Sequence, residues 1–193
     1  MPSRSSDPFG ERISAAAEEI VRAVEALGVT NPVVVIDGRS GAGKTTLARL
    51  VADRWPIGGP VQMVALDSLY PGWDGLAEGA QRAYDGVLRA HARGLMGSWR
   101  RWDWERSAEA ETHGVDPALG LILEGCGVLT PAAARVADVS VWVDGPAESR
   151  RRRALERDGD GFRPHWERWA RQEDEHIRVH APEASAQIRI EVP

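Results

Sequence analysis

The sequence VVVIDGRSGAGKT, residues 33–45, is the stretch that best predicts the fold of this chain. Its first five residues are apolar and β-branched up to the final aspartate, which is typical of a strand buried on both faces of a parallel sheet. The next eight, GRSGAGKT, complete the pattern GxxxxGK[ST]. The residues that follow place apolar side chains on one helical face until Pro56. The segment therefore predicts a strand, a glycine-rich loop and a helix, in that order.

A glycine-rich loop of this spacing, between a strand and a helix, indicates a phosphate-binding site. Glycines let backbone N–H groups wrap a phosphate, and the helix N-terminus adds a positive partial charge. Lys44 would reach the terminal phosphates, and the Thr45 hydroxyl would ligate Mg²⁺. The alternative is a chance glycine-rich turn. The predicted nucleotide-binding residues are Gly38, Arg39, Ser40, Gly41, Ala42, Gly43, Lys44, Thr45 and Thr46.

Lys44 is the single lysine in a chain that has 23 arginines. A compact ammonium and a planar guanidinium are not interchangeable, so a lysine at this position indicates that arginine would not serve there. The count also excludes the Asn/Thr-Lys-x-Asp motif with which Ras-type GTPases read guanine, because no second lysine exists. The sequence has no LSGGQ-like transporter signature either. An enzyme that uses ATP, or a triphosphate without guanine selection, is expected.

Composition limits the remaining classes of protein. The 193 residues carry a formal net charge of −5, which disfavours binding to a nucleic-acid backbone. No apolar run approaches the length of a membrane span, the N-terminus lacks the apolar core of a secretory signal, and one cysteine cannot form an internal disulfide. We expect a cytoplasmic protein with no nucleic-acid or membrane partner. Residues 1–10 are expected to form a flexible arm, and residues 11–193 a single domain.

Strand and helix patterns alternate along the chain and predict an α/β fold, with a five-stranded parallel sheet flanked by helices. A helix is expected from Glu11 to Leu27, another over 76–93, and a long one from Pro164 to His180. Residues 94–120 show no clear pattern. The predicted strands cover 33–37, 61–67, 121–125, 139–144 and 188–192.

Four segments resemble the uridine kinase-like branch of P-loop small-molecule kinases, near the nucleoside monophosphate kinases. The resemblance spans residues 33–190 and implies an acceptor-binding insert over about 70–118 and a helical lid over about 150–165. The matching segments are Lys44-Thr45-Thr46, Asp67-Ser68-Leu69-Tyr70, Leu123-Glu124-Gly125, and Val143-Asp144 followed by Arg150, Arg153 and Arg157-Asp158.

Asp67 and Glu124 each follow an apolar strand, so both carboxylates are expected at the C-terminal edge of the sheet, beside the phosphate loop. Two carboxylates and the Thr45 hydroxyl suit Mg²⁺. The resemblance implies that Asp67 is the catalytic base that orients the substrate hydroxyl and touches the metal, and that Glu124 holds the metal through water. The alternatives are a turn or cap role for Asp67 and a structural ion pair for Glu124.

Arg150, Arg153 and Arg157 share one face of a predicted helix, with spacings of three and four residues. Arg153 and Arg157 are predicted to stabilise the transferred phosphoryl group as catalytic residues together with Lys44 and Asp67. A phosphate role and a surface ion pair are equally open for Arg150. The DGDG sequence at 158–161 is either a hinge for lid closure or a simple loop.

Aromatic residues are the candidates for binding the acceptor. Tyr70 and Trp73 follow Asp67, and the segment 99–104 interleaves three tryptophans with arginine and aspartate, so Arg101, Trp102 and Trp104 are also candidates. The alternative for the tryptophans is ordinary packing. Cys126 is expected to be a small buried residue.

Histidines 176 and 180, with the acidic run 173–175, are expected to form a solvated face rather than a metal site. Trp166 and Trp169 are expected to pack against the core.

We therefore expect an ATP- and Mg²⁺-dependent kinase that transfers the γ-phosphoryl group to a hydroxyl of a small acceptor, with a nucleoside-like molecule as one candidate. Alternatives are a kinase for a nucleotide, an antibiotic or a sugar nucleotide, and a non-catalytic nucleotide-dependent switch or chaperone.

Overall fold

The computed structural model describes residues 7–193, and its centre is a five-stranded parallel sheet. The strands are, in chain order, β1 (Val33–Gly38), β2 (Val61–Ala65), β3 (Gly97–Asp103), β4 (Ala108–Val115), β5 (Gly120–Glu124), β6 (Val139–Asp144) and β7 (Ile188–Glu191). The main sheet has the order β2-β5-β1-β6-β7, so the strand before the phosphate loop is central. The predicted fold class and five parallel strands are confirmed.

Helices cover both faces of the sheet. They are α1 (Pro8–Ala26), α2 (Lys44–Asp53), α3 (Leu76–Ala83), α4 (Arg89–His91), α5 (Pro131–Ala134), α6 (Ala147–Phe162), α7 (Trp166–His180) and α8 (Pro182–Ser185). Val34 and Ile36 of β1 join a core with α1 and α2, while Val33 and Val35 join a second core with α3, α6 and α7. The period of two in a strand explains why β1 is apolar throughout: both of its faces are buried.

Several boundaries differ from the predictions. Helix α1 begins at Pro8, because proline fits the first turn of a helix, so residues 8–10 are helical rather than part of an arm. Residues 1–6 of that expected arm lie outside the described residues. Strand β2 ends at Ala65, and a 3₁₀ turn over Leu66–Ser68 follows it. The expected helix over 76–93 consists of α3, a π-helical stretch over 84–88 and α4.

Strands β3 and β4 form an antiparallel hairpin that the sequence did not predict. Trp99 pairs with His113 and Trp102 with Glu109, so two residues lie between the tryptophans while three lie between their partners. This bulge breaks the alternation of apolar and polar residues that would reveal a strand, and most side chains of the hairpin are at least partly exposed. Among residues 7–193, no helix combines the length and apolar character needed to cross a bilayer.

Candidate active site

The phosphate loop joins β1 to α2, and close packing requires its glycines. A Cβ atom on Gly38 would lie 2.0 Å from the carbonyl oxygen of Val143, and one on Gly41 would lie 2.0 Å from that of Arg150. Both glycines also have positive φ angles, 153° and 76°. Ala42 is buried and Thr46 is exposed in the first turn of α2. The loop therefore has the tight backbone path that lets amides face a bound anion.

Lys44 is the first residue of α2 and is buried against the loop. Its Nζ atom donates hydrogen bonds to the carbonyl oxygen of Arg39, at 3.0 Å, and to Sγ of Cys126, at 3.2 Å. Burial lowers the pKa of Lys44, but the nearby Cys126, Glu124 and Glu173 raise it by more, so its pKa lies above the ordinary value. The ammonium is therefore charged at neutral pH inside the loop.

Glu124 ends β5 and lies beside Thr45. The Thr45 hydroxyl donates to Oε1 of Glu124 at 2.9 Å, and the glutamate is only 3% exposed. Burial raises the pKa of Glu124, and Asp67 raises it further, while Lys44 acts against both. A hydroxyl and a buried carboxylate held together at the end of the phosphate loop form an oxygen donor set suited to Mg²⁺. Within residues 7–193, no cluster of three or more His, Cys, Asp or Glu side chains could hold a metal by itself.

Sheet register brings Asp67 to the same edge. Glu124 pairs with Ile36 of β1 on one side and with Ala65 of β2 on the other. Asp67 lies two residues beyond Ala65, in the 3₁₀ turn, and is exposed. Asp67 therefore follows the strand, whereas the predicted strand over 61–67 ended at Asp67.

Asp67 lines a cavity of about 320 Å³, which we call the Asp67 cavity. Ser40 of the phosphate loop also lines it, so the cavity opens beside the predicted phosphate site. The other lining residues are Tyr70, Trp73, Trp104, Arg157, Asp158, Gly161, Phe162 and Trp169. A larger cavity of about 780 Å³ lies between α3, α5 and α7, but none of the predicted site residues lines it.

Three of the four aromatic acceptor candidates and Asp67 meet in this cavity. Tyr70 is buried, and its hydroxyl donates to the carbonyl oxygen of Cys126 at 2.8 Å. The ring centroids of Trp73 and Trp104 lie 4.8 Å apart. Nε1 of Trp104 donates to the carbonyl oxygen of Asp67 at 2.8 Å. That last bond ties the hairpin to the 3₁₀ turn that carries Asp67, across 37 residues of sequence.

Arg101 and Trp102 are not among the residues that line the Asp67 cavity, and their predicted contact with the acceptor stays a prediction. Arg101 pairs with Glu111 on the neighbouring strand of the hairpin, Nε to Oε1 at 2.6 Å. Trp99 stacks on His113, 4.5 Å between ring centroids. Trp104, which directly follows β3, is the tryptophan of this segment that lines the cavity.

The three arginines of α6 that were predicted to share one face make different contacts. Arg150 is buried; its Nε atom lies 2.9 Å from both Oδ1 of Asp144 and the carbonyl oxygen of Gly145, so it braces the fold. Arg153 donates to the carbonyl oxygen of Gly41 at 2.8 Å and does not line the Asp67 cavity. Arg157 does line it.

Arg157 pairs with Asp158 through two hydrogen bonds, of 2.7 and 2.6 Å. The helix breaks immediately afterwards at Gly159, whose φ of 61° and ψ of −142° are not helical. The break lies within the DGDG sequence that was expected to be a hinge or a loop.

Glu173 and Cys126 make contacts with the phosphate loop that the sequence did not predict. Glu173 is buried rather than solvated, and its Oε1 atom accepts a hydrogen bond of 2.8 Å from the backbone N–H of Ser40. Cys126 is buried as expected, but its sulfur also lies 3.5 Å from Oγ of Ser40. Burial raises the pKa of the Cys126 thiol to about 12. The helical spacing that places Glu173 on the buried side with Trp169 was the available signal.

His176 is also buried rather than solvated, and its Nε2 atom lies 3.0 Å from Oδ2 of Asp37, at the end of β1. His180 lies beside it, with 5.1 Å between ring centroids. Trp169 packs in the core as predicted, edge-on to Tyr70 at 4.8 Å.

The central strand, the glycine-rich loop with its lysine and the two carboxylates at the sheet edge define a P-loop kinase-like fold. The chain is similar to a possible uridine kinase from Bacillus stearothermophilus, with a TM-score of 0.64, 18% identity, and coverage of 94% of this chain and 98% of that one. It is also similar to the YGR205w protein, with a TM-score of 0.54, 10% identity, and coverage of 97% and 95%. The uridine kinase-like resemblance is thereby confirmed as a resemblance of fold. No family model and no curated protein sequence matches the chain.

Proposed function

We propose that this protein is an ATP-dependent phosphotransferase that moves the γ-phosphoryl group to a hydroxyl of a small acceptor, with no nucleic-acid or membrane partner. One observation carries the proposal: Asp67 and Ser40 of the phosphate loop line the same cavity, which is large enough for a small molecule. Phosphoryl transfer requires an acceptor hydroxyl held in line with a bound triphosphate and a carboxylate beside it. The fold likeness to a possible uridine kinase supports the same reaction class.

The residues have separate roles in this reaction. Loop amides and Lys44 bind the phosphates, and the Asp67 carboxylate accepts the proton of the acceptor hydroxyl. Thr45, Glu124 and Asp67 would hold Mg²⁺, which neutralises phosphate charge when bound. Arg157, across the cavity, offers positive charge to the phosphoryl group as it moves.

The test compares ATP binding with turnover in an Asp67→Asn variant. Isothermal titration should show unchanged ATP affinity, while ADP release across a panel of hydroxylated acceptors should fall by about 10²- to 10⁴-fold, the usual contribution of a general base. Asp85→Asn is the matched control, because that exposed carboxylate pairs with Arg89 on the helical segment after α3. ATP binding without ADP release from any acceptor would replace this proposal by a nucleotide-dependent switch.

A second variant tests the metal site. Glu124→Gln should raise the Mg²⁺ concentration needed for tight ATP binding by about 10- to 100-fold, measured by titration calorimetry without any acceptor. The exposed Glu19→Gln substitution on α1 is the control and should leave that concentration unchanged.

A further inference from the structure

The first turn of α1 lies against the phosphate loop. Phe9, the second residue of this helix, is half-buried. A Cβ atom on Gly43, the residue before α2, would lie only 2.8 Å from Cζ of the Phe9 ring and 3.1 Å from Cδ1 of Ile13. Because glycine has no side chain, α1 can approach the end of the phosphate loop closely. The helix that precedes β1 in the chain is therefore a neighbour of the phosphate site.

Arg153 of α6 connects the Phe9 ring to the middle of the loop. Its guanidinium carbon lies 4.4 Å from the centroid of that ring, within the ~6 Å range of a cation–π contact. Its Nε atom donates to the carbonyl oxygen of Gly41 at 2.8 Å, and its Nη1 atom donates to that of Pro193 at 2.6 Å. Within residues 7–193, the remaining nitrogen, Nη2, is buried without a hydrogen-bond partner. Two hydrogen bonds and the face of the ring therefore hold this guanidinium in place.

The peptide between Gly41 and Ala42 is the part of the loop that Arg153 restrains. Gly41 has a φ of 76°, and a peptide next to a glycine can rotate more freely than others. The carbonyl oxygen of this peptide accepts from Arg153, and its N–H, which points the opposite way, donates to the carbonyl oxygen of Arg39 at 3.1 Å. The same Arg39 oxygen accepts from Nζ of Lys44. Arg153 thus fixes a peptide whose hydrogen bonds lead directly to the lysine of the phosphate site.

A loop that is held in its binding conformation before the ligand arrives loses less entropy on binding. We propose that Phe9 is a positioning residue for nucleotide binding, whose ring holds the Arg153 guanidinium on the Gly41 carbonyl oxygen and so keeps the phosphate loop in the shape that accepts a triphosphate. This inference rests on the proposed function, because that function requires a triphosphate in the loop. It gives α1 a part in the site that the sequence did not predict.

Two variants test the contact from its two sides. Phe9→Leu keeps an apolar side chain but removes the ring face, and Arg153→Met removes the guanidinium without altering α1. Titration calorimetry with ATP and Mg²⁺ should give a Kd at least about fivefold higher for each variant, the scale of losing one cation–π contact or one hydrogen bond from a charged group. The Kd of the double variant should match that of Arg153→Met alone, because Phe9 acts through Arg153.

Val24→Ala is the matched control. Val24 is buried on α1, about 22 Å along the helix from Phe9, so this variant should lower the free energy of unfolding measured in urea and keep the wild-type affinity for ATP. Wild-type ATP affinity in Phe9→Leu would overturn the inference, and so would an effect of Phe9→Leu that persists undiminished in the Arg153→Met background. ATP binding without ADP release from any acceptor would contradict the phosphotransferase proposal but not the role of Phe9. Absence of ATP binding to the wild type would overturn both.

Discussion

Oε1 of Glu173, a buried carboxylate on α7, accepts a hydrogen bond of 2.8 Å from the backbone N–H of Ser40 inside the phosphate loop. The carboxylate thus occupies an amide of a loop built to bind anions, and it contributes to the raised pKa of Lys44. A triphosphate bound to this loop would lie close to a second negative charge. Glu173 therefore supports the loop and opposes the ligand at the same time.

Replacing Glu173 by glutamine should separate those two effects. The amide oxygen still accepts from Ser40, but the like charge is gone, so we expect ATP to bind about tenfold more tightly, equivalent to about 1.4 kcal/mol. Titration calorimetry measures the affinity, and Glu175→Gln, an exposed change on the same helix, serves as the control. Weaker ATP binding by the Glu173 variant would mean that the carboxylate is needed to hold the loop.

The ammonium of Lys44 should not be replaceable by a guanidinium. It is buried and donates to the carbonyl oxygen of Arg39 and to Cys126, which leaves no room for a longer planar group. We expect Lys44→Arg to lower turnover by at least about 100-fold, the scale of losing a charge contact to the transferred group. Arg54→Lys, an exposed change just after α2, should retain wild-type ADP release; near-normal activity in Lys44→Arg would contradict the assigned role.

Cys126 should make folding stability depend on alkaline pH. Its pKa is raised by burial to about 12, against about 8.5 for a free thiol, so above pH ~8.5 the unfolded chain loses a proton that the folded chain keeps. Stability should therefore fall as pH rises from 8.5, by about 1.4 kcal/mol per unit for this group alone. Urea unfolding at pH 8.5 and 10 measures the loss. A Cys126→Ser variant should lose less over the same interval, and an identical loss would show that the thiol is not responsible.

Asp37, which directly precedes the phosphate loop, should be a major contributor to stability. Its buried carboxylate accepts hydrogen bonds of 2.6 to 3.0 Å from three backbone amides and from His176, the amides being those of Gly38, Gly127 and Leu129. Asparagine would point an N–H group at one of those donors, so we expect Asp37→Asn to lower the free energy of unfolding by about 3 kcal/mol. Chemical denaturation measures this change. The exposed Asp53→Asn should stay within about 0.5 kcal/mol of wild type, and a comparably small effect at Asp37 would refute the expectation.

Local sequence was sufficient for the elements whose signals are contiguous. The apolar run of β1, the GxxxxGKT loop and the start of α2 are encoded in adjacent residues, and the parallel order follows from alternating strands and helices. Asp67 and Glu124 were found because any residue after a parallel strand lies at one edge of the sheet. The hairpin was not predicted, because its bulge between Arg100 and Trp102 interrupts the two-residue alternation of side chains that marks a strand.

What the sequence by itself determined, then, is the class of fold and the phosphate end of the site, because those depend on backbone geometry that short motifs encode. Only the tertiary structure decided that Trp104 rather than Trp102 reaches the cavity, that Arg150 braces the fold, and that Glu173 contacts Ser40 across 133 residues. Such contacts form between side chains that the packing of helices on the sheet brings within hydrogen-bonding distance. A local sequence pattern does not predict which side chains these are. The Asp67 cavity is built from contacts of this second kind.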